Sequence, residues 1–147
     1  MTAFFFMITC TFLWAGFICA ISFMESWLKF RADGLTMPVG LSIGKLVFSA
    51  LNKVEWVFAL LIIITFFLNR TEINFLHYAY FSIVAAILIL QTAWLLPGLN
   101  NRAKQIISGK ALPSSGLHWY FIIAEFVKLL LLFLFGTGLL RSIIQQN

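Results

Sequence analysis

The chain has 147 residues, 62% of them apolar and only 10% charged, with a mean hydropathy of +1.00. A soluble domain is roughly half apolar and about a quarter charged, so a water-soluble globule is excluded and a single membrane domain is expected. The net charge of +5 is scattered along the chain, which speaks for membrane topology and against nucleic acid as a partner.

The first helix is expected at about residues 3–30. Ala3 to Met24 carries no charge and is long enough for a spanning helix, which needs ~20 residues. It is too long for a signal-peptide core and has no basic stretch before it. Cys10 and Cys19 fall on opposite faces of such a helix at about 100° per residue. They read as small apolar side chains and not as a disulfide or metal pair. Thr11, Ser22, Glu25 and Lys29 share one stripe, which is expected to face protein. Glu25 and Lys29 form an acid-to-base pair one turn apart, in the favourable order.

After a loop with Arg31, Asp33 and Gly34, Pro38 opens the second helix, at about 39–68. Gly40 and Gly44 make a GxxxG step that permits close approach of another helix. Lys45, Ser49, Asn52 and Glu55 line one face, so this helix is expected to start amphipathic and then enter the bilayer. Its interior holds Leu51-Asn52-Lys53-Val54-Glu55-Trp56. A charge at that depth costs on the order of 2.5–3.5 kcal/mol on insertion scales, so it is rarely left facing lipid.

A short turn follows with Arg70 and Glu72. Its Asn69-Arg70-Thr71 sequon lies against the membrane and reads as accidental. The third helix, at about 75–97, has His77 and Tyr78 near its start and Gln91 inside, and is expected to stop at Trp94 and Pro97. His77 reads as an interfacial residue, roughly 21 Å along the helix from Gln91. The longest loop carries Arg102, Lys104 and Lys110, with a short surface helix expected within Leu99 to Ile107. Ser114 or Ser115 is placed to cap the fourth helix, at about 117–140, on which His118, Glu125 and Lys128 share one face. A polar tail from Arg141 to Asn147 closes the chain. Trp14, Trp27, Trp56, Trp94 and Trp119 read as belt or packing residues.

Basic residues set the expected orientation. The first and third loops and their flanks hold Lys29, Arg31, Lys45, Arg102, Lys104 and Lys110, against Arg70 and Arg141 on the other side. Both termini are therefore expected outside, and the expected location is a bacterial inner membrane. Depth along the helices then brings Glu25, Asn52, Lys53, Glu55, Gln91, His118, Glu125 and Lys128 toward the cytoplasmic half. Glu25, Glu55 and Glu125 against Lys53 and Lys128 leave one carboxylate over. Such a group must be protonated, bind a cation or meet water.

The expected site is a cytoplasm-facing polar pocket for a cation, a proton or a small solute. The same charges also serve as interhelical pairs, Glu55–Lys128 or Glu125–Lys53, contributing about 0.6 kcal/mol each. An accessory subunit of a larger membrane complex is the alternative function. No cofactor motif is present. The only Asp is Asp33, so no Ser-His-Asp set exists, and neither a phosphate loop nor a dinucleotide fingerprint appears. Glu55, Glu125 and His118 are metal-ligand types, which leaves a membrane metalloenzyme as a second alternative.

The order of features resembles the four-helix membrane family of unknown function that includes transmembrane protein 205. The likeness rests on Lys29-Phe30-Arg31, then Pro38, Gly40, Gly44-Lys45 and Phe48, then Trp94-Leu95-Leu96-Pro97 with Arg102. It implies a four-helix membrane fold and no established reaction. Glu55, Glu125 and Lys128 lie outside the shared pattern. The expected architecture is an all-α integral membrane four-helix bundle, meeting the lipid bilayer and a second copy or a partner membrane protein.

Overall fold

The computed structural model describes residues 2–68, 74–113 and 115–146. The sequon at Asn69, the turn residues Arg70 and Glu72, and the Ser114 cap lie outside the described residues. Four helices build the protein: α1 (Thr2–Arg31), α2 (Met37–Leu68), α3 (Phe75–Ile107) and α4 (Leu117–Gln146). Each is long and apolar enough to cross a membrane. Thirty residues at about 1.5 Å each exceed a hydrocarbon core of ~30 Å, so helix ends project into the interface. The protein is an all-α integral membrane four-helix bundle, as its composition requires.

The short connections make neighbours antiparallel. α1 packs between α2 and α4, α4 also packs on the first half of α3, and the second half of α3 returns against α2. The loops after α1 and α3 therefore share one end of the bundle. Phe4, Met7, Trp14, Ile18, Ile62, Val84, Leu88, Leu132 and Leu139 fill the core. Toward the opposite end, Phe66, Phe81 and Phe135 meet ring to ring at 5.5–6.2 Å. His77, in the first turn of α3, is buried there beside Phe135 and over Gly138.

Two boundaries differ from the pattern-based reading. Pro97 does not end α3, which runs on to Ile107. A wider π-helical turn, Gln91–Leu95, precedes it, and the Leu96 N–H reaches back to the Gln91 carbonyl. A proline ring normally clashes with the carbonyl four residues earlier, and a π turn at that point relieves the register. The surface helix expected in the loop is therefore the continuation of α3. α4 also continues past Leu140 to Gln146, taking up most of the expected tail. A second π stretch, Cys19–Glu25, widens α1. Gly109, at φ 84°, closes α3 in the left-handed conformation a glycine tolerates. Ser115 caps α4, accepting the Leu117 N–H at 3.2 Å.

The amphipathic start of α2 is turned inside out. Met37, Val39, Ile43 and Leu46 are exposed on its outer face, while Gly40, Gly44, Asn52 and Glu55 are buried. In lipid this is the favourable arrangement, because the polar stripe must find partners within the protein.

Candidate functional site

Four helices send polar side chains to one point in the middle of the bundle. Lys128 on α4 is the hub. Its Nζ lies 2.5 Å from Glu55 Oε1 on α2 and 3.0 Å from Glu125 Oε1, one turn back on its own helix. It also donates to Gln91 Oε1 on α3 at 2.6 Å. Gln91 Nε2 donates in turn to Glu125 Oε1 at 2.7 Å. From α1, the Trp14 indole N–H reaches Glu55 Oε1 at 2.9 Å. Glu55 and Gln91 are 1% exposed, and Trp14, Glu125 and Lys128 are 0% exposed.

Local geometry explains the convergence. Glu125 and Lys128 are three residues apart, so they share a face of α4. Gln91 opens the π turn of α3, and such turns recur at functional sites. An ammonium has three donors, and Glu55, Glu125 and Gln91 use them all.

The cluster is charged unevenly. Two carboxylates surround one ammonium, a formal charge of −1 when all three are ionised. Glu125 Oε2 is buried and accepts no hydrogen bond among the described residues. Apolar layers shut it in from both sides. Ile18, Leu51, Leu95 and Phe121 are buried, each one helical turn, about 6 Å, from Trp14, Glu55, Gln91 and Glu125 toward the loop-1 and loop-3 end. Cys10, Ala59, Leu88 and Leu132 are buried on the other side.

This corrects the expected open pocket, which splits into parts. Lys53 is exposed on the outer face of α2 and belongs to no part of the cluster. Asn52 is buried but turns to α3, donating to Thr92 Oγ1 at 3.0 Å, where Trp56 also donates at 2.9 Å. Glu25 pairs with Lys29 at 3.2 Å, as its spacing requires, near the end of α1. His118 is exposed at the start of α4 and lines a separate cleft. His118 does not join Glu55 and Glu125, and among the described residues no three His, Cys, Asp or Glu side chains converge as a metal set. The donor sets therefore do not fit the metal centre that the residue types allowed.

The cleft, of about 140 Å³, opens at the loop-1 and loop-3 end. Ser26, Lys29 and Phe30 of α1, Gly40, Gly44, Lys45 and Phe48 of α2, Leu96, Leu99 and Asn100 of α3 and His118 of α4 line it. Phe48 of its lining meets Phe121 edge to ring at 5.2 Å, and Phe121 belongs to the apolar layer over the cluster. The two glycines do not serve a bare helix–helix contact. A Cβ on Gly40 would fall 2.3 Å from the Phe30 ring, and one on Gly44 would fall 2.8 Å from Lys29 Nζ.

Comparison of the chain with protein-family models, curated proteins and solved structures finds no match. The site's geometry is thus what bears on function.

Proposed function

We propose that this small polytopic protein takes up a proton or a small monovalent cation at the Glu55–Glu125–Lys128 cluster. Uptake proceeds from the end that carries the cleft. That end faces the cytoplasm, with both termini outside, in keeping with its basic loops.

The observation that carries this reading is the charge imbalance among buried side chains. A lone uncompensated anion at bilayer depth costs several kcal/mol. One proton or one small cation brings the cluster from −1 to zero, and Glu125 Oε2 is a buried oxygen placed to receive it. Lys128 fixes both carboxylates within reach of one another, and Gln91 and Trp14 hold their orientation. A purely structural cluster needs only one acid per base. Entry from the cleft requires the layer of Ile18, Leu51, Leu95 and Phe121 to part. The Phe48–Phe121 pair links the cleft lining to that layer. Toward the opposite end the Thr11 and Thr65 hydroxyls donate to carbonyls of their own helices, and the Phe66, Phe81 and Phe135 rings fill the space. The cluster is closed on both sides in this conformation, and the cleft side is the one where an opening lies nearby.

The experiment is proton or sodium uptake by vesicles holding the purified protein, paired with infrared difference spectra of the carboxyl stretch on changing pH or sodium. The native protein is expected to show both uptake and a carboxyl band change. Glu125→Gln removes the extra charge and is expected to abolish both while the protein stays folded. If Glu55→Gln and Glu125→Gln proteins fold normally and keep full uptake and the full band change, the cluster is not the site. Co-purification with a larger membrane protein, with no uptake, would instead support the accessory-subunit reading.

A further inference from the structure

The cleft at the loop end has a chemistry of its own. Lys29 and Lys45 supply cations from α1 and α2, and His118 adds an imidazole from α4. Among the described residues no acidic side chain lines it. Glu25, one turn before Lys29 on α1, is engaged by Lys29 through Oε2. Lys29 is held in place, with its side chain 10% exposed and its Nζ 5.5 Å from the Phe30 ring centre and 5.4 Å from that of Phe48. Ser26 and Asn100 add a hydroxyl and an amide.

The remaining wall is apolar, with Leu41, Leu96 and Leu99 from α2 and α3. A soluble anion has no use for such a wall, whereas an anionic amphiphile needs both halves. The surroundings mark the level of the bilayer surface. Trp27, Trp119 and Tyr120 are exposed beside it, and Arg31 stacks over Trp27 at 4.0 Å. Exposed amphipathic rings of this kind sit at head-group level. A cavity of about 140 Å³ is close to the ~150 Å³ void that holds a benzene ring. It suits a head group and the start of a chain, not a whole lipid.

We infer that this cleft binds the head group of one anionic phospholipid. The phosphate lies among Lys29, Lys45 and His118, and the glycerol end lies against Leu41 and Leu99. Basic pockets between helices at the cytoplasmic surface recognise such head groups in this way. The inference stands on the cleft alone and does not depend on the buried carboxylates.

The test uses the full chain in phosphatidylcholine nanodiscs, titrated with short-chain phosphatidylglycerol, with bound lipid counted by native mass spectrometry. One phosphatidylglycerol per chain is expected to be retained against excess phosphatidylcholine. Lys45→Gln, at a partly exposed position, is expected to weaken retention roughly fivefold, as one cation near a charged head group implies. Lys45→Gln with His118→Gln is expected to weaken it further. Gly44→Leu, which fills the cleft, is expected to abolish it, and circular dichroism confirms that each variant is folded. Three results would overturn the inference. They are equal retention of short-chain phosphatidylcholine, equal competition by inorganic phosphate, or unchanged retention in the Lys45→Gln, His118→Gln protein.

Discussion

The buried cluster and the cleft hold similar side chains under opposite conditions. In the cluster, Lys128 is 0% exposed and meets two carboxylates and an amide. In the cleft, Lys29 meets a single carboxylate, and Lys45 and His118 open to the surface. The difference lies in depth, about two helical turns of α2 and α4. It shows that polar residues in a membrane bundle need not form one continuous pocket. A single layer of apolar side chains one turn thick divides them. Within the layer each group must be satisfied by protein, and outside it water and lipid share that task.

The sharpest way to break this contrast is Lys128→Met. A methionine nearly matches the lysine stem in length but leaves two buried carboxylates facing each other without a counter-charge. Removing one partner of a buried ion pair costs about 3–5 kcal/mol. Thermal unfolding in detergent is expected to show a large loss of stability. It is expected to recover in part when Glu125→Gln is added, since one of the two stranded charges is then gone. Lys45→Gln in the cleft is expected to have no comparable effect.

A smaller effect is expected from Trp14→Phe. Phenylalanine keeps one aromatic ring but drops the pyrrole half of the indole, so Glu55 loses its donor at 2.9 Å and a small void opens at a buried position. Leaving a buried acceptor short of one bond costs about 1–3 kcal/mol. Because Lys128 still holds Glu55, the loss is expected to be less than half that of Lys128→Met in the same unfolding measurement. Equal losses would show that Trp14 contributes packing beyond its hydrogen bond.

Much of the fold and part of the site were legible in the sequence, for different physical reasons. Four long apolar runs leave few alternatives to four spans, because backbone polar groups in lipid must be satisfied within helices. Glu55, Gln91, Glu125 and Lys128 stood out as polar groups inside those runs. Their gathering toward one end of the bundle followed from 1.5 Å per residue and alternating helix direction. Trp14 was missed, since a lone tryptophan in an apolar run resembles a belt residue. Its position near the middle of α1 is the signal that it lies too deep for a belt. The end of α3 was misread because a proline rule works on local sequence, and the π turn at Gln91–Leu95 that accommodates Pro97 has no clear sequence mark. The cleft was not anticipated as a separate feature. Gly40 and Gly44 announced close approach without revealing that the approaching groups are the Phe30 and Lys29 side chains.

Lys53 gives the smallest expected effect and the clearest lesson about facing. Depth along α2 places it beside Glu55, and on depth alone it joins the cluster. Rotation separates them. Two residues at about 100° each turn Lys53 roughly 200° from Glu55, to the far side of the helix. It is exposed there, and its long stem can carry the ammonium toward the interface. Lys53→Gln is therefore expected to change stability by no more than about 0.5 kcal/mol and to leave vesicle uptake unaltered. A substantial loss of uptake in a normally folded Lys53→Gln protein would mean that the ion meets this outer face before it reaches Glu125. The route would then run along the lipid-facing side of α2, and the cleft end would lose its claim to be the entrance.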